Sequence, residues 1–92
     1  MSGNNAEMMA FGKAGWHITE INTDPTTGGQ TIYMGKCAAQ GGSTSAPAWC
    51  IKKVTIEKSG NTETVTEQYA GGNMLFNKVW DDRNELDYSF LN

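Results

Sequence analysis

Turn-forming residues punctuate this chain about every ten positions, a spacing that leaves room for little except short strands. Asp24-Pro25 with Gly28-Gly29, then Gly41-Gly42, Ser59-Gly60-Asn61 and Gly71-Gly72-Asn73 mark the breaks. Each offers a preset φ at proline or a positive φ at glycine, which is what a tight turn demands. The runs between them are rich in Thr, Ile, Val and aromatic residues, which favour extended backbone. After residue 13 no apolar stripe of helical period is long enough to support a helix.

The strands are expected as follows. Trp16–Ile21 comes first, with an imperfect alternation of Trp16, Ile18 and Ile21. Asn22–Gly29 turns the chain into Gln30–Ala38, where Ile32 and Met34 face one side and Thr31 and Tyr33 the other. The small polar stretch Gln40–Pro47 is a loop. In Trp49–Lys58, Trp49 and Ile51 share a face, while Val54 and Ile56 fall out of phase with them. A β-bulge at Lys52-Lys53 would restore a single apolar face. Thr62–Ala70 returns after a hairpin turn with Val65 and Tyr69 on one side, and Leu75–Trp80 and Leu86–Leu91 flank the polar run Asp81–Glu85. The expected fold is all-β, a small antiparallel β-sandwich or barrel over residues 14–92, preceded by an extended N-terminal arm over 1–13.

With 92 residues the chain forms one domain and has a small core to fill. Trp49 and Trp80 are therefore assigned to that core, since each buries about 150–250 Å². The arm lacks a period, and a helix over Ala6–Phe11 is too short to stand alone. It nevertheless carries Met8, Met9 and Phe11, which together with Trp16 are the expected partner-binding residues.

Seven basic against ten acidic residues, a net charge of -3, disfavour binding to a nucleic-acid backbone. No apolar run reaches the roughly 18–20 residues of a membrane-spanning helix. The opening residues lack the charged and apolar regions of a secretion signal. His17 is the lone imidazole, and Cys37 and Cys50 are the only thiols, one short of the four ligands a structural zinc site uses. A thiol paired with His17 as a nucleophile has no supporting local pattern. The two cysteines flank a loop, which makes a disulfide geometrically possible, but buried or half-buried free thiols are the preferred reading. Asp81, Asp82 and Glu85 read as a solvated turn, with Arg83 pinning it through Asp81 or Asp82. The paired glycines at Gly28, Gly41 and Gly71 lack the strand-before, helix-after setting of a phosphate loop. No cofactor, metal site or catalytic residue is expected.

Tyr33-Met34-Gly35-Lys36-Cys37-Ala38, Thr44-Ser45, Trp49, Ile51-Lys52-Lys53, Tyr69-Ala70-Gly71-Gly72-Asn73, Phe76, Val79-Trp80-Asp81-Asp82-Arg83 and Leu86-Asp87-Tyr88 stand in a distinctive order. In that order the chain resembles short proteins encoded by tailed bacteriophages, over about residues 30–90. Cys37 and Cys50 depart from the small or polar residues such proteins would carry there. The resemblance implies a virion-associated β protein, made in the host cytoplasm, and transfers no residue roles. The resulting expectation is a non-enzymatic virion structural protein: a capsid decoration, head-fibre or neck/tail accessory component. It would dock on capsid, portal/adaptor or fibre proteins, as a homo-oligomer or symmetric array. The alternative is a receptor- or glycan-binding module of a tail fibre, which calls for a tryptophan exposed beside Asp or Asn. A host-directed inhibitor that imitates nucleic acid is weakened by the modest charge.

Overall fold

A computed structural model describes residues 16–38 and 42–91. They form a single antiparallel sheet of six strands: β1 (Ile18–Thr23), β2 (Gln30–Cys37), β3 (Pro47–Ser59), β4 (Thr62–Ala70), β5 (Lys78–Val79) and β6 (Tyr88–Ser89). The order across the sheet is β1-β2-β3-β4-β6, with β5 beside β3. The all-β antiparallel fold expected from the turn spacing is therefore the fold observed. The expected arm, residues 1–13, lies outside the described residues.

β1 with β2, and β3 with β4, pair as hairpins through short, locally encoded turns. In the β1–β2 turn, Asp24 Oδ1 accepts hydrogen bonds from the N–H groups of Thr26 (2.8 Å) and Thr27 (3.4 Å). Gly28 takes φ 79°, which only glycine adopts without strain. Between β3 and β4 the reversal passes through Gly60 at φ 60°.

The long β3 is the axis of the molecule, and it has no bulge at Lys52-Lys53. Its register against β2 runs unbroken from Gln30↔Ile56 to Cys37↔Trp49. The phase change in the sequence has another cause: both faces of β3 are buried. Trp49 and Ile51 point to one side, Val54 and Ile56 to the other, and Trp49, Ile51 and Val54 are all at most 4 % exposed. A strand covered on both faces has no wet side to alternate with. The observed irregularity lies between Pro47 and Trp49, where β3 meets β5.

One face of the sheet is covered by the C-terminal segment. Trp80 leaves β5 in a 3-10 turn (Trp80–Asp82) and packs with Tyr33, Cys37, Trp49, Ile51 and Ala70. The chain then crosses to β1, where Arg83 meets Glu20, and returns to β4, where Gly71 N–H bonds Asp87 O at 2.8 Å. Trp49 and Trp80 are 4 % and 3 % exposed, with ring centroids 5.9 Å apart, as expected for core residues. The expected strands over Leu75–Trp80 and Leu86–Leu91 shorten to the two-residue β5 and β6, because the intervening residues form this crossing segment and its loops. On the other face, Ile32, Met34 and Val54 form a second cluster, with Trp16 and Ile56 against it.

Candidate functional site

Among the described residues, five of the seven exposed large apolar side chains sit in two short stretches of the C-terminal third, the other two being Ile21 and Val65 on separate strands. Met74, Leu75 and Phe76 are 50 %, 57 % and 43 % exposed, and Phe90 and Leu91 are 65 % and 49 % exposed. The first stretch is held outward by the loop that carries it. Asn73 Oδ1 accepts from the Leu75 N–H (3.1 Å) and from Lys78 Nζ (3.0 Å), while Asn73 Nδ2 donates to Gly71 O (3.2 Å). Gly71 and Gly72 both adopt φ 71°, which turns the chain sharply at the end of β4. With its backbone tied this way, the loop presents three apolar residues in a fixed conformation. Phe90 and Leu91 follow β6, which is anchored by pairing Tyr88 and Ser89 with Ala70 and Tyr69.

Sequence reasoning missed both stretches because it places Leu75 and Leu91 at the ends of the expected strands Leu75–Trp80 and Leu86–Leu91 and assigns neither a facing. The available signal was the unbroken run Met74-Leu75-Phe76, which matches neither a period of 2 nor one of 3.6.

Of the expected partner-binding residues, Met8, Met9 and Phe11 lie outside the described residues. Trp16 is half-buried against the chain's own Ile32, Met34 and Val54, with Lys52 Nζ 5.4 Å from its ring centroid. Lys52 is buried and forms an ion pair with Glu67 at 3.3 Å.

Arg83 does pin the C-terminal turn from within, although its carboxylate partner is Glu20 rather than Asp81 or Asp82. Nε donates to Oε1 at 2.9 Å and Nη2 to Oε2 at 2.7 Å, a bidentate pair joining the crossing segment to β1. These bonds hold the Glu20 carboxyl below the ordinary carboxylate range and raise Arg83 further. The Arg83 guanidinium also lies 4.7 Å from the Trp80 ring centroid. Tyr88 closes the segment: its hydroxyl donates to Arg83 O at 2.9 Å, and burial pushes its ionisation well up.

His17 is exposed, and its Nδ1 accepts from the backbone N–H of Cys37 at 3.0 Å, so its bond goes to the main chain and not to a thiol. Cys37 and Cys50 are free and buried. Their registers, Cys37↔Trp49 and Lys36↔Cys50, put them on opposite faces of the sheet. Burial pushes the Cys50 thiol up from its ordinary value. Asp81, Asp82 and Glu85 are exposed. Among the described residues no three His, Cys, Asp or Glu side chains come together as a metal site would require, and no helix is long and apolar enough to cross a membrane.

A groove of about 790 Å³ opens between the β1–β2 turn and the end of β3. Asn22, Asp24, Gln30, Glu57 and Lys58 are among its lining residues, and none of the lining carries an aromatic ring. A saccharide platform built on Trp49 or Trp80 is not available, because both rings are core residues.

Comparisons of this chain with protein-family models, with curated proteins and with solved structures find no match.

Proposed function

We propose that this chain is a non-enzymatic structural protein of a tailed-phage virion that works by docking on other virion proteins through its C-terminal apolar stretches. The observation that carries this reading is the outward display of Met74, Leu75 and Phe76, together with the exposed Phe90 and Leu91. Contiguous exposed apolar residues are expensive to leave in water, and on soluble proteins they mark contact surfaces. Phenylalanine and leucine set among polar neighbours suit the buried centre of such a contact. The Asn73 bonds lower the ordering cost of binding, since the loop is already in one conformation.

The sheet supplies a second mode of contact. β1 ends the strand order, and its outer backbone edge can add a strand from a neighbour, which favours a homo-oligomer or symmetric array. The phage setting, with capsid decoration, head-fibre and neck/tail positions all open, rests on the sequence resemblance over residues 30–90.

The test uses Leu75→Ser/Phe76→Ser and Phe90→Ser in the encoding phage. The variants should keep wild-type thermal stability to within about 0.5 kcal/mol, as surface substitutions do, and should fail to enter particles. Incorporation at the wild-type level would refute the assignment of these stretches as the docking surface.

A further inference from the structure

The hydrogen-bond parity of the sheet fixes which backbone groups of β1 face outward. In an antiparallel pair, the N–H and C=O of every second residue point at the same neighbour. The register of β1 on β2 runs from Ile18↔Gly35 to Thr23↔Gln30, and the Asp24 N–H continues it by bonding Gly29 O at 2.8 Å. The backbone groups of Ile18, Glu20 and Asn22 therefore face β2, and those of Thr19, Ile21 and Thr23 face away from the sheet. β1 ends the strand order, and among the described residues no strand or turn bonds these outward groups. Ile21 and Thr23 are exposed, Ile21 by 50 %. The strand has neither the lysine nor the proline that commonly guards an edge, and its one charge, Glu20, is held by Arg83.

We infer that β1 pairs with β1 of a second copy, antiparallel about a two-fold axis between the two Ile21 residues. Such an axis, perpendicular to the sheet, keeps every side chain on its own face, so only residues of like parity stand opposite one another. Centred on Ile21, the outward groups meet: Thr19 bonds Thr23 of the second copy, and Ile21 bonds its counterpart, each pair exchanging N–H···O bonds in both directions. Glu20 then stands opposite Asn22 of the second copy, whose side-chain amide can donate to the carboxylate. Within one chain Asn22 Nδ2 already donates to Glu20 Oε1 at 3.4 Å. Centring on Glu20 would instead oppose two carboxylates, and centring on Asn22 would set Ile21 against a threonine. Only the Ile21 register buries the exposed isoleucines on each other. The opposite edge is less suited to this. β6 covers β4 only at Tyr69 and Ala70, but self-pairing of β4 about Val65 sets Glu63 against Glu67 of the other copy on both sides of the axis. The contact closes as a dimer, since the same edge serves both copies. It gives the pairing edge proposed above its partner, and it rests on that part of the reading, not on the apolar stretches or on a virion.

The test is amide hydrogen exchange by NMR on the purified full-length protein over a concentration series, with the mass read by light scattering. The mass should rise from monomer to dimer, and the Thr19, Ile21 and Thr23 amides should slow in step with it. Those of Ile18, Glu20 and Asn22 should already be slower in the monomer, because β2 holds them. Ile21→Pro removes an outward N–H and spares the ladder to β2, as an edge strand allows. Ile21→Lys sets like charges across the axis. Both variants should stay monomeric where the wild type is dimeric, with the β3 amides still slow. A wild type that is monomeric throughout would overturn the inference, as would variants that still dimerise. A dimer whose Thr19, Ile21 and Thr23 amides exchange as fast as in the monomer would do the same. So would protection at Val65 that rises together with that at Ile21, the mark of head-to-tail pairing between β1 and β4. Any of these results leaves the particle-entry test of Leu75, Phe76 and Phe90 standing, and failure of that test leaves the dimer standing.

Discussion

The six-membered ring of Trp80 lies where the β-carbon of residue 35 would be. A Cβ built on Gly35 would stand 2.6 Å and 2.7 Å from two carbons of that ring, and 2.9 Å from Cγ2 of Ile18. The strand glycine is required by this close approach, since the crossing segment can press its indole onto β2 only where β2 has no side chain. Gly35→Ala should therefore destabilise the protein by about 1–3 kcal/mol through overpacking. Trp80→Phe shortens the ring system and should make the alanine less costly in the double variant than in the single one. Denaturant unfolding of the four proteins in the cycle measures this coupling. Strict additivity would mean that the ring and the glycine do not constrain each other.

Arg83 and Glu20 fasten the crossing segment to the edge strand, and their pairing sets a pH dependence. The folded carboxyl of Glu20 titrates below its ordinary range because Arg83 bonds its charged form. A depressed carboxylate contributes stability above its unfolded pKa of about 4.3 and loses that contribution as the pH falls through the folded value. With side chains 18 % and 35 % exposed, the pair is partly screened by solvent, so about 1 kcal/mol is expected. Glu20→Gln should be less stable than the wild type by that amount at pH 7. The gap should close below about pH 4. A gap that stays constant down to pH 2 would show that the ion pair contributes nothing.

The two thiols should never pair within one chain. Side chains on opposite faces of a sheet cannot bring their β-carbons to the roughly 3.5–4.5 Å a disulfide needs without a register slip. After air oxidation and denaturation, thiol titration with mass spectrometry should find Cys37 and Cys50 both reduced, and the melting temperature should not respond to reductant. A linked Cys37–Cys50 peptide would contradict the register of β2 against β3.

The Asn73 bonds make the display of Met74, Leu75 and Phe76 a rigid one. Asn73→Ala removes the acceptor for Leu75 N–H and Lys78 Nζ and should cost about 1 kcal/mol. Amide hydrogen exchange should accelerate at Leu75 while remaining slow in β3. Unchanged exchange at Leu75 would mean that the loop is held by something other than Asn73.

The features legible in the sequence were those set locally. Gly60 and the Asp24–Gly28 turn mark hairpins by chemistry confined to a few residues, and Trp49 and Trp80 are core residues simply because a small domain has nothing larger to fill itself with. The bulge expected at Lys52-Lys53 failed because it assumed one wet face, and a central strand buried on both sides obeys no such alternation. Arg83 was recognisable as a structural clamp, yet Glu20 stands 63 positions away, and no local pattern points to it. The exposure of Leu75 and Leu91 was hidden for a related reason, since whether an apolar residue faces in or out near a chain crossing depends on where the crossing segment lies.

Quantitative mass spectrometry of purified phage particles tests most directly whether this is a virion component. The protein should co-purify with particles in a fixed ratio to the major capsid protein, many copies indicating the head surface and a small symmetric set the neck or tail. Abundance in the infected cell combined with absence from particles would contradict the account.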